Sequence, residues 1–164
     1  MSGSLHTWYS LPDLDRLAER NAELCGEIAL NKLARLCSAL RKDVGSVRAT
    51  LGFRRRDDGW LTVSLEYAAV LELTCQRCLE PMFYDASGRV ELLILEDSSL
   101  ESQAPASLEP IVLDGDRFSP AQLIEDEMIV SLPLVPRHAD ASQCGAIAKR
   151  IEREGRPNAA RGAT

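Results

Sequence analysis

The sequence is poor in aromatic residues and in histidine. Phe, Tyr and Trp make up 5% of its 164 residues, and the histidines are His6 and His138. That leaves little from which to build a histidine-based acid–base site. There is no G-x-S-x-G elbow, so a serine hydrolase of that type has no support. A Gly-rich phosphate loop and a dinucleotide fingerprint are also missing. No apolar run approaches the ~18 residues of a membrane span. The longest clean one, Leu92-Leu93-Ile94-Leu95, suits a buried strand. No Lys or Arg precedes Arg16 and no apolar stretch follows the start, so neither half of a secretory signal is seen and a cytoplasmic location is expected. The five cysteines, Cys25, Cys37, Cys75, Cys78 and Cys144, are odd in number, and with no leader expected they do not read as a disulfide framework; free core thiols or a metal site are the better readings.

What is present fits one domain. Hydrophobic residues reach 45% and charged residues 27%, too apolar for a wholly disordered chain. The net charge of −6 speaks against coating nucleic acid by charge alone. It is unevenly placed. Residues 1–89 are neutral overall, residues 90–136 hold 10 acids against Arg117, and residues 137–164 are net basic. A single domain is expected over residues 1–150, followed by a basic, disordered tail over 151–164.

Periodicity predicts a helix over 12–20, with Leu14, Leu17 and Ala18 on one face, and a strand over 24–30 weakened by Gly26. Asn31 is placed to cap a helix over 32–40 with the stripe Leu33, Leu36, Cys37 and Leu40, which makes Cys37 a core thiol. Val47, Ala49, Leu51 and Phe53, then Leu61, Val63, Leu65 and Tyr67, alternate with polar residues around Asp58-Gly59. This is a β-hairpin, with Asp-Gly expected in a type I′ turn. The second strand runs on to Thr74, and a third covers 88–95 from a start near Met82. Residues 97–110 read as a mobile loop and 111–113 as a short strand. Ser119, Pro120 and Gln122 open a helix to Leu132 with a capping box. The fold class is α+β, an antiparallel sheet with flanking helices.

The sharpest local feature is Cys75-Gln76-Arg77-Cys78. Two cysteines at this spacing can place both sulfurs on one Zn²⁺, and His138 and Cys144 would complete a Cys₃His set. Unligated thiols are the alternative, because the His138–Cys144 half has five intervening residues rather than two. Redox chemistry by the pair is disfavoured: Pro81 follows, and the next segment reads as strand rather than helix. Glu127 falls on the apolar arc of its helix, between Leu123 and Ile124, where a carboxylate wants a cation such as Arg77; a solvated helix face is the rival reading. Arg54, Arg55 and Arg56, at the hairpin tip, can sit on RNA phosphates or simply solubilise the turn, with Asp57 and Asp58 partly neutralising them.

The stretch Leu73-Thr74-Cys75-Gln76-Arg77-Cys78-Leu79-Glu80-Pro81 resembles the C-x-R-C core of the YceD family, the large ribosomal RNA subunit accumulation proteins. A second block agrees in order and spacing: residues 109–113, then 118–124, then Glu125 through Pro133-Leu134-Val135-Pro136-Arg137-His138, and Cys144. The resemblance implies a factor for synthesis, processing or stability of large-subunit (23S-type) ribosomal RNA, with no catalytic residues to carry over. Expected partners are that RNA or its precursor and, by complementarity with the acidic segment, a basic ribosomal protein. No membrane or small-molecule substrate is expected. The rival classes are a metal-dependent nuclease or thiol oxidoreductase, and a protein adaptor without RNA contact.

Overall fold

A computed structural model describes residues 4–113, 115 and 117–145; the expected tail over 151–164 lies outside them. In chain order the elements are β1 (Tyr9–Ser10), α1 (Leu11–Glu19), β2 (Glu23–Ala29), α2 (Ala34–Cys37), β3 (Ser46–Arg55), β4 (Leu61–Thr74), β5 (Pro81–Leu95), β6 (Glu109–Val112), β7 (Arg117–Phe118) and α3 (Pro120–Ser131). Short 3-10 turns cover Leu30–Lys32, Ser98–Gln103 and Ala141–Gln143. Among the described residues no helix is long and apolar enough to cross a membrane.

Alternation along β3 and β4 builds the core. Val47, Ala49, Leu51 and Phe53 face the same side as Leu61, Val63, Leu65 and Tyr67, and all are buried. Leu14 and Ala18 of α1, and Leu123, Ile124 and Met128 of α3, join them in one hydrophobic cluster. Helices on one face of a sheet give the α+β class expected from the sequence. Each such large side chain contributes about 1.5–3 kcal/mol by leaving water. Phe53 meets Phe118 edge to face, with ring centroids 5.8 Å apart.

The main sheet runs β2-β3-β4-β5-β6 and is antiparallel up to its last pair; β5 and β6 are parallel. A parallel pair needs a crossover, and residues 96–108 supply it. The stretch expected to be a mobile loop thus carries the 3-10 turn Ser98–Gln103, capped by Asp97, whose Oδ1 accepts from the Ser99 N–H at 2.7 Å. Leu93 and Leu95 point away from the main core yet are buried, so this face of β5 is covered as well.

Other local expectations are corrected. The hairpin turn spans Asp57, Asp58 and Gly59. The Gly59 N–H reaches the Arg56 carbonyl, and the Arg56 N–H reaches the Trp60 carbonyl. Gly59 has φ +89° and Asp58 is not in the positive-φ region, which makes a three-residue loop rather than type I′. The helix expected over 32–40 shrinks to α2 after a 3-10 turn that contains Asn31. The side chain that caps α2 is Glu125, from α3, rather than Asn31. At α3, Ser119 Oγ accepts from the Gln122 N–H at 3.3 Å, which is one half of the expected capping box.

β4 and β5 stay paired from Leu61↔Ile94 to Thr74↔Pro81, whereas β3 leaves β4 at Ala68. Past that point the other edge of β4 meets the segment after α2: Lys42 bridges Glu72, the Arg41 N–H bonds the Glu72 carbonyl at 2.7 Å, and Arg41 and Lys42 pair with the Glu72 carboxylate at 3.6 and 3.2 Å. This distal half of the hairpin, here called the arm, lacks a β3 neighbour, although Leu71, Leu73, Met82 and Ala86 keep it in the hydrophobic cluster. Two tyrosines fasten α3 to it: Tyr67 Oη donates to the Glu127 carbonyl at 3.2 Å and Tyr84 Oη to the Ser131 carbonyl at 3.0 Å. The Tyr67 ring lies over Gly88 of the facing strand, where a Cβ would meet it at 2.6–2.8 Å.

Candidate metal centre

The arm ends in the turn between β4 and β5, where the C-x-R-C stretch sits. The Cys75 N–H bonds the Glu80 carbonyl at 2.9 Å and the Leu79 N–H bonds the Cys75 carbonyl at 2.8 Å. Leu79 takes φ +61°, a costly position for a leucine, and this closes a tight knuckle. The chain beyond α3 docks on it through the Gln76 N–H, which donates to the Pro136 carbonyl at 2.8 Å. That docking delivers His138 and Cys144.

Cys75, Cys78, His138 and Cys144 thus come together, as their residue types anticipate, with all four ligand atoms within 4.8 Å of one another. They could hold a metal ion. His138 Nδ1 is 3.5 Å from Cys78 Sγ and 3.6 Å from Cys144 Sγ. Tetrahedral Zn²⁺, with bonds of about 2.3 Å to sulfur and about 2.0 Å to nitrogen, spaces its donors about 3.5–3.8 Å apart. His138 Nε2 lies 3.2 Å from the Pro81 carbonyl, which can only accept. The ring proton therefore belongs on Nε2, and the Nδ1 lone pair faces the sulfurs. A second partner that fixes the tautomer is typical of ligating histidines.

The three sulfurs are buried. Burial pushes the Cys75 thiol up, but backbone N–H groups of His138, Cys78 and Arg77 outweigh it and hold the thiol at about 5. Burial pushes the Cys78 thiol up, and the facing Cys75 and Cys144 sulfurs add to this. The environment thus favours the thiolate at Cys75 and disfavours it at Cys78. Three buried thiolates need a cation to be tolerated, and a divalent metal with soft-ligand preference fits this donor set.

The other sequence-predicted residues are placed differently. Arg54 is exposed and has no carboxylate partner among the described residues. Arg55 pairs with Asp15 of α1, and Arg56 with Asp58 at 3.1 Å. Glu127 has no ion pair among the described residues. Burial raises its carboxyl, and Glu109 and Asp126 add to that. Arg77 instead donates from Nε to Cys144 Sγ at 3.0 Å and from Nη2 to the His138 carbonyl at 3.4 Å. The buried acid of α3 is Glu125, 10% exposed, which pairs with Arg35 at 3.0 Å.

Sequence reasoning missed the groups that hold the ligands: the Pro81 and Pro136 carbonyls, and Glu80, whose Oε2 accepts from the Gly145 N–H at 2.9 Å. One signal was available, an arginine between two cysteines, where thiolate charge would need it.

A family model described as "Large ribosomal RNA subunit accumulation protein YceD" matches residues 63–158, which takes in the arm, α3 and all four clustered residues. A protein of that name from Haemophilus influenzae (strain ATCC 51907 / DSM 11121 / KW20 / Rd) is 28% identical over 125 residues, covering 74% of this chain and 71% of the relative. No solved structure matches. The family match covers more than half of the chain, knuckle and post-helix segment together, and on that ground the chain belongs to the YceD family of large ribosomal RNA subunit accumulation proteins.

Proposed function

We propose that this chain supports accumulation of large-subunit ribosomal RNA by binding the RNA or its precursor in the cytoplasm, without catalysis, and that the four-residue cluster is a structural zinc centre. One observation carries the non-catalytic reading: the cluster supplies four protein ligands and its sulfurs are buried. Catalytic zinc keeps a coordination position for water or substrate, whereas a Cys₃His set is closed. When bound, zinc would hold the arm tip to the segment after α3 and neutralise thiolate charge. Cys75 and Cys78 would bring it to the arm, and His138 and Cys144 to the post-helix segment.

The RNA contact is assigned to the tip residues Arg54, Arg55 and Arg56, with Arg54 as the cation free to meet a phosphate. The acidic residues of 90–136 favour a basic ribosomal protein as a second partner by charge complementarity. Purified full-length protein is expected to contain close to one zinc per chain by elemental analysis. It should cosediment with precursor large-subunit particles and crosslink to their RNA. Cleavage of precursor RNA by the pure protein with added metal would replace this reading with the nuclease. Crosslinks to protein alone, unchanged in an Arg54/Arg55/Arg56 alanine variant, would replace it with the adaptor.

A further inference from the structure

We propose that Arg77 is the positioning residue of the metal centre: its guanidinium bridges the two ligands delivered from the far side of the site and balances the charge of the loaded cluster. The proposal rests on the zinc reading above. It concerns a residue that is not itself a ligand.

The geometry is asymmetric. Cys75 and Cys78 belong to the same tight turn as Arg77, so local chain geometry already holds them. His138 and Cys144 arrive from a segment about 60 residues away, and Arg77 touches both of these. Nε reaches the Cys144 sulfur at 3.0 Å, and Nη2 reaches the His138 carbonyl at 3.4 Å. One planar fork therefore spans the seam between the halves of the site, which a single ammonium at the end of a lysine stem cannot reproduce.

Two other contacts across the seam do not reach a sulfur: His138 Nε2 lies 3.2 Å from the Pro81 carbonyl, and the Gly145 N–H donates to Glu80 Oε2 at 2.9 Å. Cys144 takes the guanidinium, a charged donor worth roughly twice a neutral one. Three thiolates and a neutral imidazole around a divalent cation leave one net negative charge in a buried place. An arginine keeps its proton at any physiological pH, so it offsets part of that charge without a titration of its own, while the Asp140 carboxylate also feels the same guanidinium. Donors around a ligand of this kind typically contribute about 10–100-fold in metal affinity.

The test uses the full-length protein loaded with Zn²⁺ alone, or with Co²⁺ as a spectroscopic probe. Arg77→Met keeps most of the stem and removes the charge and the fork; Arg77→Lys restores charge only. Zinc affinity by chelator competition should fall about 10–100-fold in R77M and recover in part in R77K. The thiolate-to-cobalt charge-transfer band should move to lower energy in R77M, because a sulfur that loses a charged donor gives up its electrons more easily. A residue that merely packs would not move this band. If R77M does not fold, R77K carries the test: it should load, bind more weakly than the parent and show a smaller shift of the same sign. Parent affinity and an unshifted cobalt band in R77M, or in R77K where that variant carries the test, overturn the proposal. A parent chain that takes up neither zinc nor cobalt overturns the zinc reading, and this proposal with it.

Discussion

At the scale of single residues, two neighbouring glutamates on α3 have opposite fates. Glu125 is buried, and each of its oxygens is used. Oε1 accepts from the Arg35 and Leu36 N–H groups at 2.7 and 3.1 Å, and Oε2 from the Arg35 guanidinium at 3.0 and 3.1 Å. Glu125→Ala leaves backbone donors of α2 without a partner and should lower stability by about 2–3 kcal/mol in urea unfolding. Asp126 touches the same guanidinium at 2.6 Å but is 53% exposed. Its alanine variant should cost less than about 1 kcal/mol. Glu127 is the reverse case. Its carboxyl is raised above the ordinary 4.5 by burial, then by Glu109 and Asp126. The folded state therefore holds that proton more tightly than the unfolded one, and stability from this group is present below pH 4.5 and lost as pH rises through the folded value. Glu127→Gln should be more stable than the parent at neutral pH, with the gap closing on acidification. A gap that stays constant in thermal melts from pH 4 to 7 would contradict this assignment.

At the scale of elements, Leu71, Leu73, Met82 and Ala86 anchor the arm in the hydrophobic cluster, and a metal at its tip would add a second brace. Its distal strands pair with each other, and beyond Ala68 the β4 edge has Arg41 and Lys42 on Glu72 in place of a β3 strand. Isolated two-stranded hairpins are marginal in water. Tyr84 ties this half to α3, and the Cys75, Cys78, His138 and Cys144 cluster brings its tip to the segment after α3. Removing metal with a chelator should speed amide exchange in 70–85 and leave 61–67 protected, because β3 flanks the latter. Uniform protection before and after chelation would show that the centre does not brace the arm. Much of this architecture was legible in the sequence. Alternation marked β3, β4 and their hairpin, Ser119-Pro120 marked α3, and the four metal-type residues were identifiable by type. What escaped was set by distant partners. The cap of α2 comes from Glu125, 90 residues away, so Asn31 misled. The β5–β6 parallel pair depends on a crossover that polar composition disguised as loop. Arg77, one candidate cation for Glu127, donates instead to Cys144 Sγ and the His138 carbonyl, because helical periodicity locates a face, not which residue from another element arrives there.

At the scale of the whole molecule, folding redistributes a formal charge of −6. Within the acidic segment, Glu125 and Asp126 are consumed by Arg35, and Asp97 caps a turn. Within the basic tip, Arg55 and Arg56 are consumed by Asp15 and Asp58. The three tip arginines are therefore not equivalent toward RNA. Arg54 can take a phosphate and release a condensed counterion, at a cost in salt slope of about 0.7–0.9 per contact. Arg55 and Arg56 must first give up a carboxylate, so their net gain on binding is smaller. RNA affinity measured across a salt series should show the largest loss and the largest fall in slope for Arg54→Ala. Arg55→Ala and Arg56→Ala should each do less. Asp58→Ala, which frees Arg56 at the cost of an exposed ion pair, should tighten binding and steepen the slope. Equal losses from all three arginines would mean that the ion pairs do not persist in solution. No loss from any of them would move the RNA contact away from this hairpin altogether.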